Sequence, residues 1–331
     1  MECHLSFRRY QRPFVKLLRT ARGEWSLREG FIVRVEHESM TGYGEIAPIP
    51  EFGTETLEVA EAYLQSLAAS GKFSKSVAEL AERPCCAFGI SAAQANSPLA
   101  SKRDYPVAAL LPAGAAAFNA VKSKVEQGYA TFKWKIGVEP IVEEQAVFLR
   151  LLQLLPPGAR LRLDANGGLS VAALENWLTL LKDHSQQIDY LEQPLPVGQE
   201  VIMAERSESF RVPIALDESL HGSGGSRWLE AGVWKGPLVV KPALMGDCGV
   251  LVERLQPVAG QVVFSSVFET GIGLENALNI ADQLPELKRA IGFDTVGAFA
   301  DDWMPLNSGP VIGVADRGWL NFADIWEGLS R

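Results

Sequence analysis

From Tyr105 onward the sequence repeats one unit, a short apolar strand followed by a helix-like stretch, and this repetition limits the chain to very few folds. The strand-like segments are PVAALLP (106–112), TFKWKIG (131–137), RLRLDANGG (160–168), IDYLEQPL (188–195), VPIALDES (212–219), GPLVVKPALMG (236–246) and QVVFSSVFETG (261–271). AIGF (290–293) makes an eighth. Between them lie stretches such as EEQAVFLRLLQLL (143–155) and SVAALENWLTLLKDH (170–184). Strand–helix alternation with this period predicts a parallel α/β barrel rather than a sandwich. A doubly wound open sheet alternates in the same way, but carries a Gly-rich phosphate loop after its first strand, and PVAALLPAGAAA is not one.

Residues 1–100 have a different texture, that of an α+β domain. GFIVRVEH (30–37) alternates as a strand does, and GYGEIAPIP (42–50) reads as a Gly/Pro-punctuated loop. A helix is expected from Thr56 to Leu80, with Leu57, Ala60, Tyr63, Leu64 and Leu67 on one face, and a shorter one over 85–95. The tail, 303–331, is expected to return to this N-terminal part. The predicted division is therefore 1–100 with 303–331, and a barrel over 101–302.

The 331 residues carry a formal net charge of −9, which argues against nucleic acid or an anionic membrane as the main partner. A small anionic substrate is still permitted, because a few lysines and a metal ion reverse the local field inside a pocket. Cys3, Cys85, Cys86 and Cys248 have no zinc-like spacing and read as reduced thiols of a cytoplasmic protein. The start has no continuous apolar stretch of the kind a secretory signal needs, and no run approaches a membrane span, so a soluble chain is expected. Nothing in the sequence sets the oligomeric state.

Charges fall where barrel strands should not tolerate them. Interior-facing ionisable groups are costly unless paired or metal-bound. Lys133 and Lys135 share one face of FKWKIG, Arg162 and Asp164 one face of LRLDAN, and Ala215 and Asp217 one face of IALDES. Glu192 opposes Leu191, and Lys241 opposes Val240. All lie at or near C-terminal strand ends, where barrels build their active sites. Asp164, Glu192 and Asp217 are separated by 28 and 25 residues, so successive units bring three carboxylates together. Isolated, any one of them reads as a rim salt bridge. Converging, they need a cation, and hard oxygen donors without Cys or His favour Mg²⁺, with Mn²⁺ as substitute.

A cation bound there would acidify the α-carbon of a small-molecule carboxylate, with Lys135 and Lys241 approaching from opposite sides as acid/base groups. Nearby cations and partial burial lower a lysine's pKa and suit it to act as a base.

These motifs in this order, FKWKIG, LRLDAN, YLEQP, ALDES and VVKPALMG, resemble the muconate-lactonizing branch of the enolase superfamily. GYGEIAPIP is similar to part of that family's capping domain, and SSVFETGIG (265–273) to its seventh strand and loop. The resemblance implies a modified TIM barrel, (β/α)7β, under an α+β capping domain, with Mg²⁺ and proton abstraction next to a carboxylate. Within the branch the chain looks most like the lyases that dehydrate a succinyl-hydroxycyclohexadiene carboxylate in menaquinone and phylloquinone biosynthesis. Carried over, Lys135 removes the α-proton and then helps the hydroxyl leave from the same face. Lys241 stabilises the enediolate as a cation, and Lys133 neutralises the substrate carboxylate.

Several of the remaining candidates have two readings. Arg162 and Asn166 fit an ordered ligand shell, although Asn166 also fits a turn in ANGG. Glu218 braces a lysine or the metal shell, or forms a rim salt bridge. Ser265 and Ser266 hydrogen-bond the succinyl tail, or are satisfied locally. Gly271 and Gly273 offer backbone space or amides to a carboxylate, or simply make a turn. His221, beside GSGG, reads as a solvated loop residue, and Trp134 as packing between barrel and helices. The rivals are an N-acylamino-acid racemase, a dipeptide epimerase, a muconate cycloisomerase, a sugar-acid dehydratase and a non-catalytic metal-binding scaffold. Dipeptide epimerases of the branch carry an Asp-x-Asp at the eighth strand, where IGFDTVG (291–297) has Asp294 alone. Sugar-acid dehydratases need a late His, and none follows His221.

Overall fold

The computed structural model describes residues 3–20, 23–37, 40–70, 82–95, 103–222, 224–285, 287–299, 309–317 and 321–329. The second half of the expected first helix (71–80), the side chain of Cys3, and residues 303–308, 318–320 and 330–331 of the tail lie outside the described residues.

The N-terminal part is a three-stranded antiparallel sheet of β1 (Cys3–Thr20), β2 (Gly23–His37) and β3 (Met40–Ile46), in that order. Strand alternation sends Phe31, Val33 and Val35 into the main core, shared with α1 (Leu57–Ser70) and α2 (Pro84–Gln94). Ile32 points the other way and is just as buried, under a helix from the tail. The expectation of a loop over 42–50 is corrected in its first half, because residues 42–46 pair with β2, from Phe31↔Ile46 to Val35↔Gly42. Gly44 is required there by packing rather than by a turn. A Cβ on it would collide with the carbonyl of Gly89, where α2 crosses the strand.

A short strand, β4 (Tyr105–Pro106), leads into the parallel part, which begins with β5 (Ala108–Leu111). It continues through β6 (Thr131–Lys135), β7 (Arg160–Asp164), β8 (Ile188–Glu192) and β9 (Ile214–Ala215) to β10 (Leu238–Val240) and β11 (Val262–Phe264). Strands β5 to β9 form one sheet and β10–β11 another. Single bridges close the ring: Leu216↔Leu238, Ser265↔Gly292 and Val107↔Ile291, all parallel. The expected eighth strand is thus present as the bridged segment around Ile291 and Gly292. Outside stand α3 (Ala117–Glu126), α4 (Ile141–Leu154), α5 (Val171–Asp183), α6 (Glu200–Phe210), α7 (Cys248–Leu255) and α8 (Gly271–Asp282). The β9–β10 crossover departs from the pattern, with 3₁₀ turns at Glu218–Leu220 and Gly225–Leu229 in place of an α-helix.

This is the modified TIM barrel under an antiparallel capping sheet. Trp134 is fully buried in the core between strand and helices. After the barrel, β12 (Val311–Ile312) pairs with β4, followed by α9 (Val314–Arg317) and α10 (Phe322–Gly328). Trp326 of α10 packs with Tyr10 and Ile32 of the capping sheet and Ile272 of α8. Among the described residues no helix is long and apolar enough to cross a membrane.

Candidate active site

A cavity of about 220 Å³ lies over the C-terminal strand ends. Lys135, Asp164 and Glu192 are the last residues of β6, β7 and β8, and strand pairing sets them level, Lys135↔Asp164 and Asp164↔Glu192. The second pairing depends on an irregularity. Between Leu161 and Arg162 the partner on β8 moves from Ile188 to Tyr190, passing over Asp189, and this brings Glu192 opposite Asp164. Asp217 follows β9, Lys241 follows β10 and Ser265 follows β11. In the closed ring β6 and β10 stand four positions apart of eight, so Lys135 and Lys241 face each other across the cavity.

The charges are heavily paired. Lys133 Nζ lies 2.8 Å from Asp164 Oδ2 and 2.7 Å from Glu192 Oε1. Burial pulls the Lys133 ammonium down, but Asp164, Glu192 and Asp217 outweigh it and hold its pKa well above the usual lysine range. Lys241 donates to Asp217 and stands 5.1 Å from the ring centre of Phe52. Burial alone would raise Asp217, yet Lys241 beside it drives its pKa far down. Glu192 goes the other way, to about 8, because it is fully buried and next to Asp164. Glu218 is raised to about 7 by burial and by Asp217. Lys135 lines the cavity and has no salt bridge among the described residues.

With the lysines so placed, no three acidic, His or Cys side chains among the described residues close around a common point. The donor set nevertheless fits a divalent cation. Among the described residues Glu192 Oε2 is buried with no hydrogen-bond partner, and a carboxyl pushed toward neutrality by burial and a like charge is what a cation would restore to its ionised form. Asp164, Glu192 and Asp217 supply hard oxygens, which suit Mg²⁺.

Not every candidate reaches the cavity. Lys133, Asn166, Glu218, Ser265 and Ser266 line it with the central groups. Asn166, at φ 44°, turns the chain, and its side chain donates to Glu218 Oε1 at 3.2 Å. Arg162 sits one residue pair lower, fully buried, with Nε 2.8 Å from Asp189 Oδ2, and does not line the cavity. Gly271 is buried at the start of α8, also outside the lining. The amide of Gly273 donates to Glu45 Oε2 at 3.1 Å, so the carboxylate it serves belongs to the chain itself. His221 is a correction. Its side chain is 3% exposed, with Nε2 3.6 Å from Asp217 Oδ1 and its ring edge-on to Phe52, because the 3₁₀ turn at Glu218–Leu220 folds it back over the strand end.

Other residues were not legible as site residues. Trp25, Ile49 and Phe52 enter the cavity from the capping part. Gln193, fully buried at φ 34°, accepts from the amides of Asp217 (3.0 Å) and Ser219 (3.2 Å) and donates to Ser219 Oγ and Leu195 O. It ties the end of β8 to the turn that carries Asp217. The signal for it was a polar side chain directly after a buried Glu.

The family description "MenC, N-terminal domain" matches residues 5–97, and "Enolase C-terminal domain-like" matches 115–235. The o-succinylbenzoate synthase of Thermosynechococcus vestitus is 40% identical over 277 residues, covering 80% of this chain and 84% of that protein. The chain belongs to the o-succinylbenzoate synthase family. A Vibrio cholerae o-succinylbenzoate synthase is 30% identical over 95% of this chain and 96% of its own length. The crystal structure of the o-succinylbenzoate synthase from Thermosynechococcus elongatus BP-1, complexed with Mg in the active site, superimposes with a TM-score of 0.83 at 35% identity, covering 98% of this chain and all of that one. The L-Ala-D/L-Glu epimerase of Bacillus subtilis, at 18% identity and TM-score 0.79 over 95% of this chain and 96% of its own, shares the fold.

Proposed function

We propose that this cavity performs the reaction of the o-succinylbenzoate synthase family, the Mg²⁺-dependent syn loss of water from a succinyl-hydroxycyclohexadiene carboxylate to give 2-succinylbenzoate. The observation that carries it is the pair of lysines on opposite sides of one cavity, Lys241 ion-paired and Lys135 without an ion pair among the described residues, beside a wall of carboxylates. When bound, Mg²⁺ neutralises the charge that builds on the substrate carboxylate.

Lys135, as the amine, takes the proton next to the carboxylate. The electron pair then expels the ring hydroxyl on the same face, and Lys135 returns its proton to that oxygen, leaving water and regenerating the amine. Lys241, ion-paired with Asp217, offers its charge to the opposite face of the ring. Lys133 provides positive charge at the carboxylate end. Asp164, Glu192 and Asp217 are the proposed metal ligands, with Asn166 and Glu218 bracing them. Ser265 and Ser266 are proposed contacts for the succinyl tail, while the burial of Arg162 and Gly271 outside the lining favours supporting roles. The proposed division is a capping part, 1–100 with 303–331, over a catalytic barrel, 101–302. A cytoplasmic location belongs to the same reading, supported by the buried free thiols Cys85, Cys86 and Cys248.

The test is an ultraviolet assay of dehydration with and without Mg²⁺, for wild type and Lys135→Ala. Wild type should turn over only with the metal, and Lys135→Ala should lose about 10²- to 10⁴-fold in kcat, the usual range for a general acid–base group. Activity retained in Lys135→Ala would overturn the base assignment. The opposed lysines also suit proton exchange at the α-carbon of an N-acylamino acid, so faster turnover of N-succinylamino acids than dehydration would replace this reading with a racemase.

A further inference from the structure

We propose that Arg28 is a positioning residue for substrate binding, one guanidinium that fixes the two cavity-lining segments contributed by different parts of the chain. It rests on the reading of the cavity as the substrate site. Arg28 lies on β2, is 4% exposed, and spends its donors on main-chain carbonyls. Nη2 donates to Ala47 at 2.6 Å, Nη1 to Pro48 at 3.1 Å and to Glu29 at 3.3 Å, and Nε to Val267 at 3.1 Å.

Ala47 and Pro48 lead into the segment that brings Ile49 and Phe52 to the cavity, with Phe52 over the Lys241 ammonium. Val267 lies between Ser266 and Phe268 on the wall after β11. That wall is not a relaxed turn: Phe268 has φ 63°, a conformation that side-chain-bearing residues keep only when their surroundings hold them there. The rest of its backbone is anchored from the capping sheet as well. Arg12 Nη1 donates to Glu269 O at 3.3 Å, and Glu45 Oε2 accepts from the amides of Thr270 at 2.7 Å and Gly273 at 3.1 Å. Arg28 adds to these anchors a fork that holds Ala47 and Pro48 as well as Val267.

A guanidinium is a rigid planar fork, so carbonyls bound to its separate nitrogens are held at a fixed spacing. A lysine ammonium is a single point on a flexible stem and cannot do the same. Without the fork, the 47–52 and 265–268 segments separate. The cavity then loosens at the end away from Lys133 and Asp164, weakening substrate binding more than the chemical step.

The test uses the full chain with Mg²⁺, comparing wild type, Arg28→Lys and Arg28→Met by steady-state dehydration and by amide hydrogen exchange. Arg28→Met should raise KM about tenfold while kcat stays within about threefold, the signature of lost binding common to ground and transition states. Exchange should quicken together in residues 46–53 and 265–270, and Arg28→Lys should fall between. A purely structural role would lower thermal stability and the active fraction but leave KM at the wild-type value. That result, or faster exchange in one segment alone, would overturn the clamp. Should Arg28→Met not fold, Arg28→Lys carries the same comparison. A wild type that fails to dehydrate the substrate sinks the assigned reaction, while the clamp is then decided by the exchange data alone.

Discussion

Glu269 is the clearest single residue whose environment was bought with ionisation. It is 3% exposed, and burial lifts its carboxyl from the ordinary 4.5 to about 7, against the hydrogen bond from Ser266 that pulls it down. Its Oε2 accepts from Ser266 and from the amide of Val267, while Oε1 is buried with no hydrogen-bond partner among the described residues. Because the folded pKa is above the unfolded one, the folded chain holds the extra proton between about pH 4.5 and pH 7. Its contribution is therefore complete below the lower value and is lost as pH rises through the upper one, with a slope approaching about 1.4 kcal/mol per pH unit inside that window. Chemical denaturation at pH 5 and pH 7.5 should show Glu269→Gln flattening this part of the stability profile. An unchanged difference between the two pH values would place the titration elsewhere. The lysines make a related point about what sequence can say. Alternation put Lys133 and Lys135 on one face, but it could not reveal that Lys133 is consumed by Asp164 and Glu192 while Lys135 has no ion-pair partner among the described residues.

At the scale of elements, the site is an outcome of strand ends and the turns that follow them. Asp217 lies beyond β9, after only two paired residues, and its backbone position depends on Gln193 at the end of the neighbouring strand. Gln193→Leu keeps the size but removes both the acceptor for the Asp217 and Ser219 amides and the donor to Ser219 Oγ. Loss of such supporting bonds typically weakens a metal site about 10- to 100-fold. Magnesium titration by calorimetry should find that loss in Gln193→Leu, with the far-ultraviolet circular dichroism of wild type. Affinity equal to wild type would mean that β9 alone holds Asp217. The barrel strands and their inward charges were legible because period-two alternation is local. Irregular features were not: the register shift over Asp189, the 3₁₀ turn that buries His221, and the strand hidden in GYGEI each depend on a partner distant in sequence. The glycines of GYGEI signal a turn in isolation, and only the approach of Gly89 explains Gly44 within a strand.

At the scale of the whole molecule, the capping sheet and barrel share one hydrophobic core, which runs from Leu5 and Phe31 through Phe88 to Leu251 and Ile312. Helix α10 completes the joint. Its Trp326 is 2% exposed among Tyr10, Ile32, Ala47 and Ile272, with the guanidinium of Arg8 4.4 Å and that of Arg34 4.9 Å from its ring centre. This packing touches the sheet on one side and the barrel helix α8 on the other, so the tail acts on the interface that positions Arg28, Glu45 and the cavity wall. Removing a buried indole costs about 3–5 kcal/mol. If the shared core makes the two parts one cooperative unit, Trp326→Ala lowers the midpoint of a single unfolding transition. Urea unfolding followed by both far-ultraviolet circular dichroism and tryptophan fluorescence checks this, with the two curves expected to stay superimposed. Curves that separate, with an early phase that leaves the barrel signal intact, would mean that α10 fastens the capping sheet to a barrel able to stand without it.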